Sequence, residues 1–245
     1  LRFTLPMIIG SLLQQCYNIA DTLIVGQCIG SGALAAVGSA YTLMVFLISI
    51  LLGLSMGSGT VFSLQYGAGR MKALRRSIYV SAVLIGTVTI VLNIAALSFI
   101  HPILKLLQIP DDIYQMMYDY LWIIFWGIGF TFIYNFYAAL LRAIGNAVTP
   151  LYFLAISVVL NIGLDLFFIL LLDWGIKGAA IATIIAQGVS ALGIMGYTYA
   201  KCPELRLHRN DLHFDRHCLK EITSFSTLTC IQQSVMNFGI LMVQG

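Results

Sequence analysis

Six stretches of this chain run for about 20 residues or more with almost no charged side chains, and a seventh begins before the chain stops. A run of that length suits the hydrocarbon of a bilayer, where no water satisfies backbone N–H and C=O groups. Only helices and closed barrels meet that condition. The runs lack the strict apolar–polar alternation of a barrel strand, so the expected class is all-α. Composition agrees: 60% of the 245 residues are hydrophobic and 9% are charged, whereas soluble domains carry about 25% charged residues. A polytopic membrane protein built on a six-helix transmembrane bundle is expected.

Length and pattern place helices near 3–27, 34–65, 77–100, 118–141, 150–172 and 178–200, with an unfinished one from about 221. The breaks carry turn chemistry: Gly67-Ala68-Gly69, His101-Pro102, Gly145 to Pro150, and Asp173-Trp174-Gly175-Ile176-Lys177-Gly178. Three parts follow: a lobe over 1–200, a connecting linker over 201–220, and an incomplete seventh span over 221–245. The chain lacks an initial Met and stops inside an apolar run, so it reads as a piece of a longer protein. Cys16, Cys28, Cys202, Cys218 and Cys230 show no CxxC spacing and no evident pairing.

Basic residues orient the bundle. Arg2, Arg70, Lys72, Arg75, Arg76, Arg142, Lys201, Arg206, Arg209, Arg216 and Lys220 fall on one side of the expected spans, with only Lys105 and Lys177 on the other. By the positive-inside rule the larger group is cytoplasmic, and with it the N-terminus. The expected location is the cell (inner) membrane, crossed several times. Topology and lipid contact account for most of these cations.

Against that apolar background two acids stand out. Asp21 lies in the first run and Asp165 in the fifth, and a carboxylate near the centre of a spanning helix costs roughly 2.5–3.5 kcal/mol on insertion scales. Tyr17 and Asn161 each precede an acid by four residues, on the same helix face. At 1.5 Å per residue Asp21 lies about 27 Å, and Asp165 about 22 Å, from the cytoplasmic ends of their helices. Thr183, on a helix running inward, is about 7–8 Å below the outer surface, so all three share the outer half of the bilayer. Gln14, Asn18 and Asp21 form a polar stripe that should face a bundle interior or aqueous cavity.

Carboxylates, an amide oxygen and a hydroxyl are hard donors, suited to a proton or a small hard cation. Two neighbouring carboxylates in a low dielectric cannot both ionise cheaply, so such a pair is expected to hold a proton near neutral pH. Weaker signals are Gly53, Gly57 and Gly59 with Ser55 and Ser58, read as close helix packing. Tyr134, Phe136 and Tyr137 fit either an interfacial belt or a cavity wall, and Met44 fits either a cavity or the core.

Several segments resemble the multidrug and toxic compound extrusion (MATE) transporters. They are Pro6…Tyr17-Asn18-Ile19-Ala20-Asp21-Thr22…Gly26, Gly32-Ala33-Leu34-Ala35-Ala36-Val37-Gly38 and Gln65-Tyr66-Gly67-Ala68-Gly69. Leu141-Arg142-Ala143-Ile144-Gly145-Asn146…Pro150, Asn161-Ile162-Gly163-Leu164-Asp165 and Gly178-Ala179-Ala180-Ile181-Ala182-Thr183 continue the match in order. The resemblance implies the N-lobe of a twelve-helix, two-lobe transporter working by alternating access. It implies a cation site at Asp21, Tyr17, Asn161, Asp165 and Thr183, a bending first-helix proline at Pro6, and a possible substrate cavity at Met44, Tyr134 and Tyr137. It further implies export of small organic, often cationic, compounds in exchange for H⁺ or Na⁺. No other cofactor and no nucleic-acid partner are expected, and the full-length chain is expected to act as a monomer in the lipid bilayer.

Three other readings stay open. A lipid-linked oligosaccharide flippase of the wider superfamily needs a strongly basic cavity. An intramembrane enzyme would use the two Asp residues as a dyad, but no nucleophile–base pair accompanies them. A non-transporting subunit would be indifferent to their loss.

Overall fold

The computed structural model describes residues 4–106, 109–208 and 215–244. The described chain is helical throughout, and no strand occurs among the described residues. Among the described residues the α-helices are, in order, α1 (Thr4–Cys28), α2 (Ser31–Gly67), α3 (Met71–Ser98), α4 (Ile100–Leu106), α5 (Asp111–Trp126), α6 (Ile128–Ala143), α7 (Val148–Leu166), α8 (Gly175–Lys201) and α9 (Arg216–Gln244). Short connections turn successive long helices back on one another.

By length and composition α2, α3, α7 with its extension, and α8 can each cross a membrane, and the bent pair α5–α6 makes a fifth span if taken as one. α1 has the length, at 25 residues, but Gln14, Gln15, Asn18 and Asp21 dilute its apolar content. Side chains such as Leu12, Ile90, Val159, Leu171 and Leu228 are exposed around the outside. Phe62, Phe125, Leu51, Met117 and Ile194 fill the interior. An apolar exterior over an apolar core is the signature of a lipid-facing bundle.

Four expectations change in detail. The span over 118–141 begins earlier, at Asp111, and breaks at Gly127, where α5 and α6 meet at 45°. A Cβ on Gly127 would lie 3.0 Å from both Ile124 O and Ile184 Cγ1, so only glycine lets α8 press against the break. Asn93 donates its side-chain amide to Phe125 O, satisfying a carbonyl the break frees. His101 and Pro102, expected as a break, lie in α4 instead; Pro102 is tolerated there because a first-turn residue needs no intrahelical N–H bond. The end of the fifth span is not plain α-helix: Phe167–Leu171 widens into a π-turn directly after α7.

The fourth change concerns the linker. α8 runs to Lys201, Pro203–Leu205 forms one 3₁₀ turn, and α9 starts at Arg216 rather than near 221. Arg2, Arg209 and the stretch 209–214 lie outside the described residues. Asp215 explains the early start, because its Oδ1 accepts the His217 N–H at 2.9 Å and caps the new helix. That bond, followed by the Arg76 guanidinium 3.1 Å from Oδ2, holds the Asp215 carboxyl below the ordinary aspartate range. Beside it the Ser77 hydroxyl and the Cys218 thiol are 2.9 Å apart and buried, tying α9 to α3.

Close packing is the role of two of the small residues in α2. A Cβ on Gly53 would fall 2.6 Å from Cys230 Cα, and one on Gly57 would collide with Ser226 Cα. The backbones of α2 and α9 therefore touch along this line, as small-residue motifs allow.

Candidate functional site

α1, α7 and α8 converge near one end of the bundle, and there the five expected cation-site residues meet. Asn161 and Asp165 have no exposed surface, Thr183 is 6% exposed and Asp21 8%. The Thr183 Oγ1 accepts from the Tyr17 phenol at 3.3 Å and from the Asn161 side-chain amide at 3.3 Å. Asp21 and Asp165 are electrostatic neighbours here. Two carboxylates offer only acceptors, so a direct bond between them would need a shared proton.

The local sequence accounts for the convergence. Asn161 and Asp165 share a face of α7 at i, i+4, and Gln14, Tyr17 and Asp21 share one on α1. The expected stripe on α1 is thereby altered: Asn18 turns aside and bonds Gln15 Oε1 at 3.3 Å. The π-turn begins two residues after Asp165, and π-turns frequently accompany functional positions. Gly178 lets α8 close over that turn, since a Cβ there would stand 3.0 Å from Phe168 Cβ.

Four buried oxygens at this point have no donor among the described residues: Asp21 Oδ1, both carboxyl oxygens of Asp165, and Asn161 Oδ1. A buried acceptor left so is costly, and an ionised one more so. A proton on the pair, or a small hard cation among these oxygens, relieves that cost. Among the described residues no cluster of three His, Cys, Asp or Glu side chains offers a different kind of metal site.

One further member was not foreseen. Tyr120 on α5, 8% exposed, lies within electrostatic reach of Asp21, Tyr17 and Asp165. It is 99 positions from Asp21 in the chain, and no spacing rule links an aromatic residue there to the acids.

A cavity of about 660 Å³ adjoins the acid site. Pro6, Gln14 and Tyr17 of α1, Met56 of α2, Tyr134, Asn135 and Arg142 of α6, and Gln187 of α8 contribute to its wall. Tyr17 thus belongs to both places, bonded to Thr183 and exposed to the cavity. Of the expected substrate-cavity residues only Tyr134 lines this space; its phenol donates to Pro150 O at 3.0 Å. Met44 and Tyr137 instead pack against the hydrophobic core, because their positions on α2 and α6 turn inward. Arg142, expected simply at the basic end, opens onto the cavity.

The MatE family model matches residues 6–167. The chain belongs to the multidrug and toxic compound extrusion (MatE) family. It is 36% identical over 190 residues to the probable multidrug resistance protein YpnP of Bacillus subtilis, covering 78% of this chain and 43% of that protein. It is 30% identical over 218 residues to the probable multidrug resistance protein YoeA of the same organism, covering 87% and 46%. A solved outward-facing MATE family transporter of the MOP superfamily superposes with a TM-score of 0.89 at 24% identity, over 98% of this chain and 53% of that one. The chain spans about half the length of the relatives it matches. MatE proteins are a family of multi-pass membrane transporters rather than of enzymes.

Proposed function

We propose that the full-length protein is an antiporter that exports small organic compounds, cationic ones among them, in exchange for H⁺ or Na⁺. The observation that carries this reading is the double engagement of Tyr17. Its phenol bonds Thr183 beside the Asp21–Asp165 pair, and the same side chain faces the cavity. A cation arriving at the acids changes the partners of Tyr17, and Tyr17 is part of the wall a substrate touches. Coupling follows only if cation and substrate favour different states of the lobe, since a ligand binding both states equally shifts nothing.

The cation enters from the outer side, binds among Asp21, Asp165, Asn161 and Thr183, and favours the state that releases substrate outward. Pro6 sits on the cavity wall in α1, where a bend would alter the cavity's shape. The basic end of the bundle is cytoplasmic, the N-terminus with it, in the cell membrane, and the protein works as a monomer without nucleic acid or a further cofactor. The lobe covers 1–200, and α9 opens the second lobe. The flippase alternative asks for a strongly basic cavity, whereas Arg142 is the sole Lys or Arg on the described wall.

The test is efflux by the full-length protein in sealed vesicles, with Na⁺ and pH gradients imposed separately. Export driven by one of them, and lost when Asp21 and Asp165 are both changed to Asn, is the expected result. Export indifferent to both gradients and to both acids would sink the antiport reading.

A further inference from the structure

Arg142 is the one charged side chain, of either sign, on the described wall of the 660 Å³ cavity. Among the described residues it has no carboxylate partner, and the ion pairs there join Arg76 to Asp215 and Lys177 to Asp119. It is half-buried, with the neutral Tyr134 phenol as its electrostatic neighbour.

Its position at the end of α6 offers a structural use that the geometry removes. A cation there often serves the last free carbonyls of its helix. Here three of those carbonyls are already engaged by backbone: Ile144 N–H donates to Leu140 O at 3.3 Å, Gly145 N–H to Arg142 O at 3.0 Å, and Asn146 N–H to Leu141 O at 2.9 Å. Gly145, at φ 88°, makes that wrap possible. Asn146 Oδ1 then accepts the Thr149 N–H at 3.1 Å and starts α7. The turn is closed by its own backbone and Asn146, and Arg142 is part of the cavity wall.

A guanidinium fork matches a carboxylate, sulfonate or phosphate with two parallel bonds, and it is strongest where water is reduced. The space beside it is within the usual range of roughly 300–1,000 Å³ for a small-molecule site. Around it stand an aromatic ring, Tyr134, and the neutral amides of Asn135, Gln14 and Gln187. Tyr17, which borders the acids, lies on the same wall, about 16 Å along α1 from Pro6 by the helical rise.

We infer that Arg142 is the recognition point for an acidic group, and that amphipathic organic acids with an aromatic or apolar body are substrates of this cavity. The inference rests on the antiport reading and names a substrate class for it. The acid's anionic group pairs with Arg142 at the basic end, its rings lie along Tyr134, and its other end approaches Tyr17, where the coupling ion acts.

Two dyes with the same xanthene core separate charge from shape: fluorescein, an anion at pH 7.5, and rhodamine 123, a cation. Binding is read by fluorescence anisotropy with the full-length protein in phosphatidylcholine nanodiscs. Arg142→Gln is expected to weaken fluorescein binding roughly tenfold or more, the scale of a lost charged bond, while rhodamine 123 changes less than about twofold. Arg142→Lys keeps the charge without the fork and is expected to fall between; it also shows that the position tolerates change with the fold intact. Equal weakening of both dyes, or no change in either, overturns the inference. Adding phosphatidylglycerol provides the other arm: displacement of fluorescein by it assigns the acidic group to a lipid headgroup and overturns the substrate assignment. Selective fluorescein binding with no gradient-driven export of either dye upholds the Arg142 site and overturns the antiport reading instead.

Discussion

The Tyr17 phenol meets the Thr183 hydroxyl at 3.3 Å, closing α1 onto α8 beside the two buried acids. Because Thr183 also accepts from Asn161, a single hydroxyl holds three helices in register. Its removal is therefore the sharpest probe of the site.

Thr183→Ala leaves the Tyr17 phenol and the Asn161 amide without that acceptor. The cost is expected to be about 1–3 kcal/mol of stability, the penalty for unsatisfied buried donors. Thermal unfolding in detergent measures it. In transport, the variant is expected to lose response to Na⁺ more than to H⁺, since a hydroxyl oxygen completes a cation's shell whereas a proton needs only a carboxyl. Equal loss to both ions would remove Thr183 from the cation shell.

Asp21→Asn and Asp165→Asn preserve size while removing the titrating groups. Both proteins are expected to fold, with thermal midpoints unchanged or raised, because a neutral amide is cheaper to bury than a carboxylate. Gradient-driven export is expected to fall to the level of protein-free vesicles, with substrate binding retained. Full export by the double variant would falsify the shared site.

Gly57→Leu drives a side chain into the Ser226 backbone. Overpacking of this kind costs about 1–3 kcal/mol or more, so the midpoint should drop and α9 should separate from α2. Gly129→Ala is the control, as a Cβ there meets nothing within 4 Å. Both changes raise helix propensity, so a loss confined to Gly57→Leu assigns the cost to the contact, whereas similar losses in both variants would remove the α2–α9 contact as its cause.

Asp215 caps α9 and pairs with Arg76. Its carboxyl titrates lower in the fold than in an open chain, so the carboxylate's contribution is fully present above the ordinary aspartate range, near pH 4. It is lost as the pH falls further, through the lowered value. Asp215→Asn keeps the cap and is expected to leave amide exchange at 216–219 unchanged at neutral pH, whereas Asp215→Ala is expected to raise it. Mass-spectrometric hydrogen exchange distinguishes the two; no rise in the Ala variant would make the cap irrelevant.

For topology, single-cysteine variants at Arg75 and Asp112 in an otherwise cysteine-free chain are the check. A membrane-impermeant maleimide added to intact cells should label position 112 and spare 75. The reverse pattern would invert the assigned direction of the coupling ion.

Much of this protein is decided by local chemistry, and so was open to reading from residue order. Apolar runs longer than a bilayer is thick leave helices as the solution for this backbone. The polar faces of α1 and α7 follow from the 3.6-residue period, which sets Tyr17 near Asp21 and Asn161 near Asp165. What pattern could not supply are contacts between helices. Tyr120 comes within electrostatic reach of the acids, and Met44 and Tyr137 pack against the core, through relative rotations of helices that hydropathy does not encode. The break at Gly127 and the early start of α9 depend on Ile184, Arg76 and Cys218, residues distant in sequence from the positions they shape. Arg142 is the clearest case. A count of charges assigns it to one side of the membrane, but only the packing of the helices places it on a cavity wall, at a turn that backbone bonds already close.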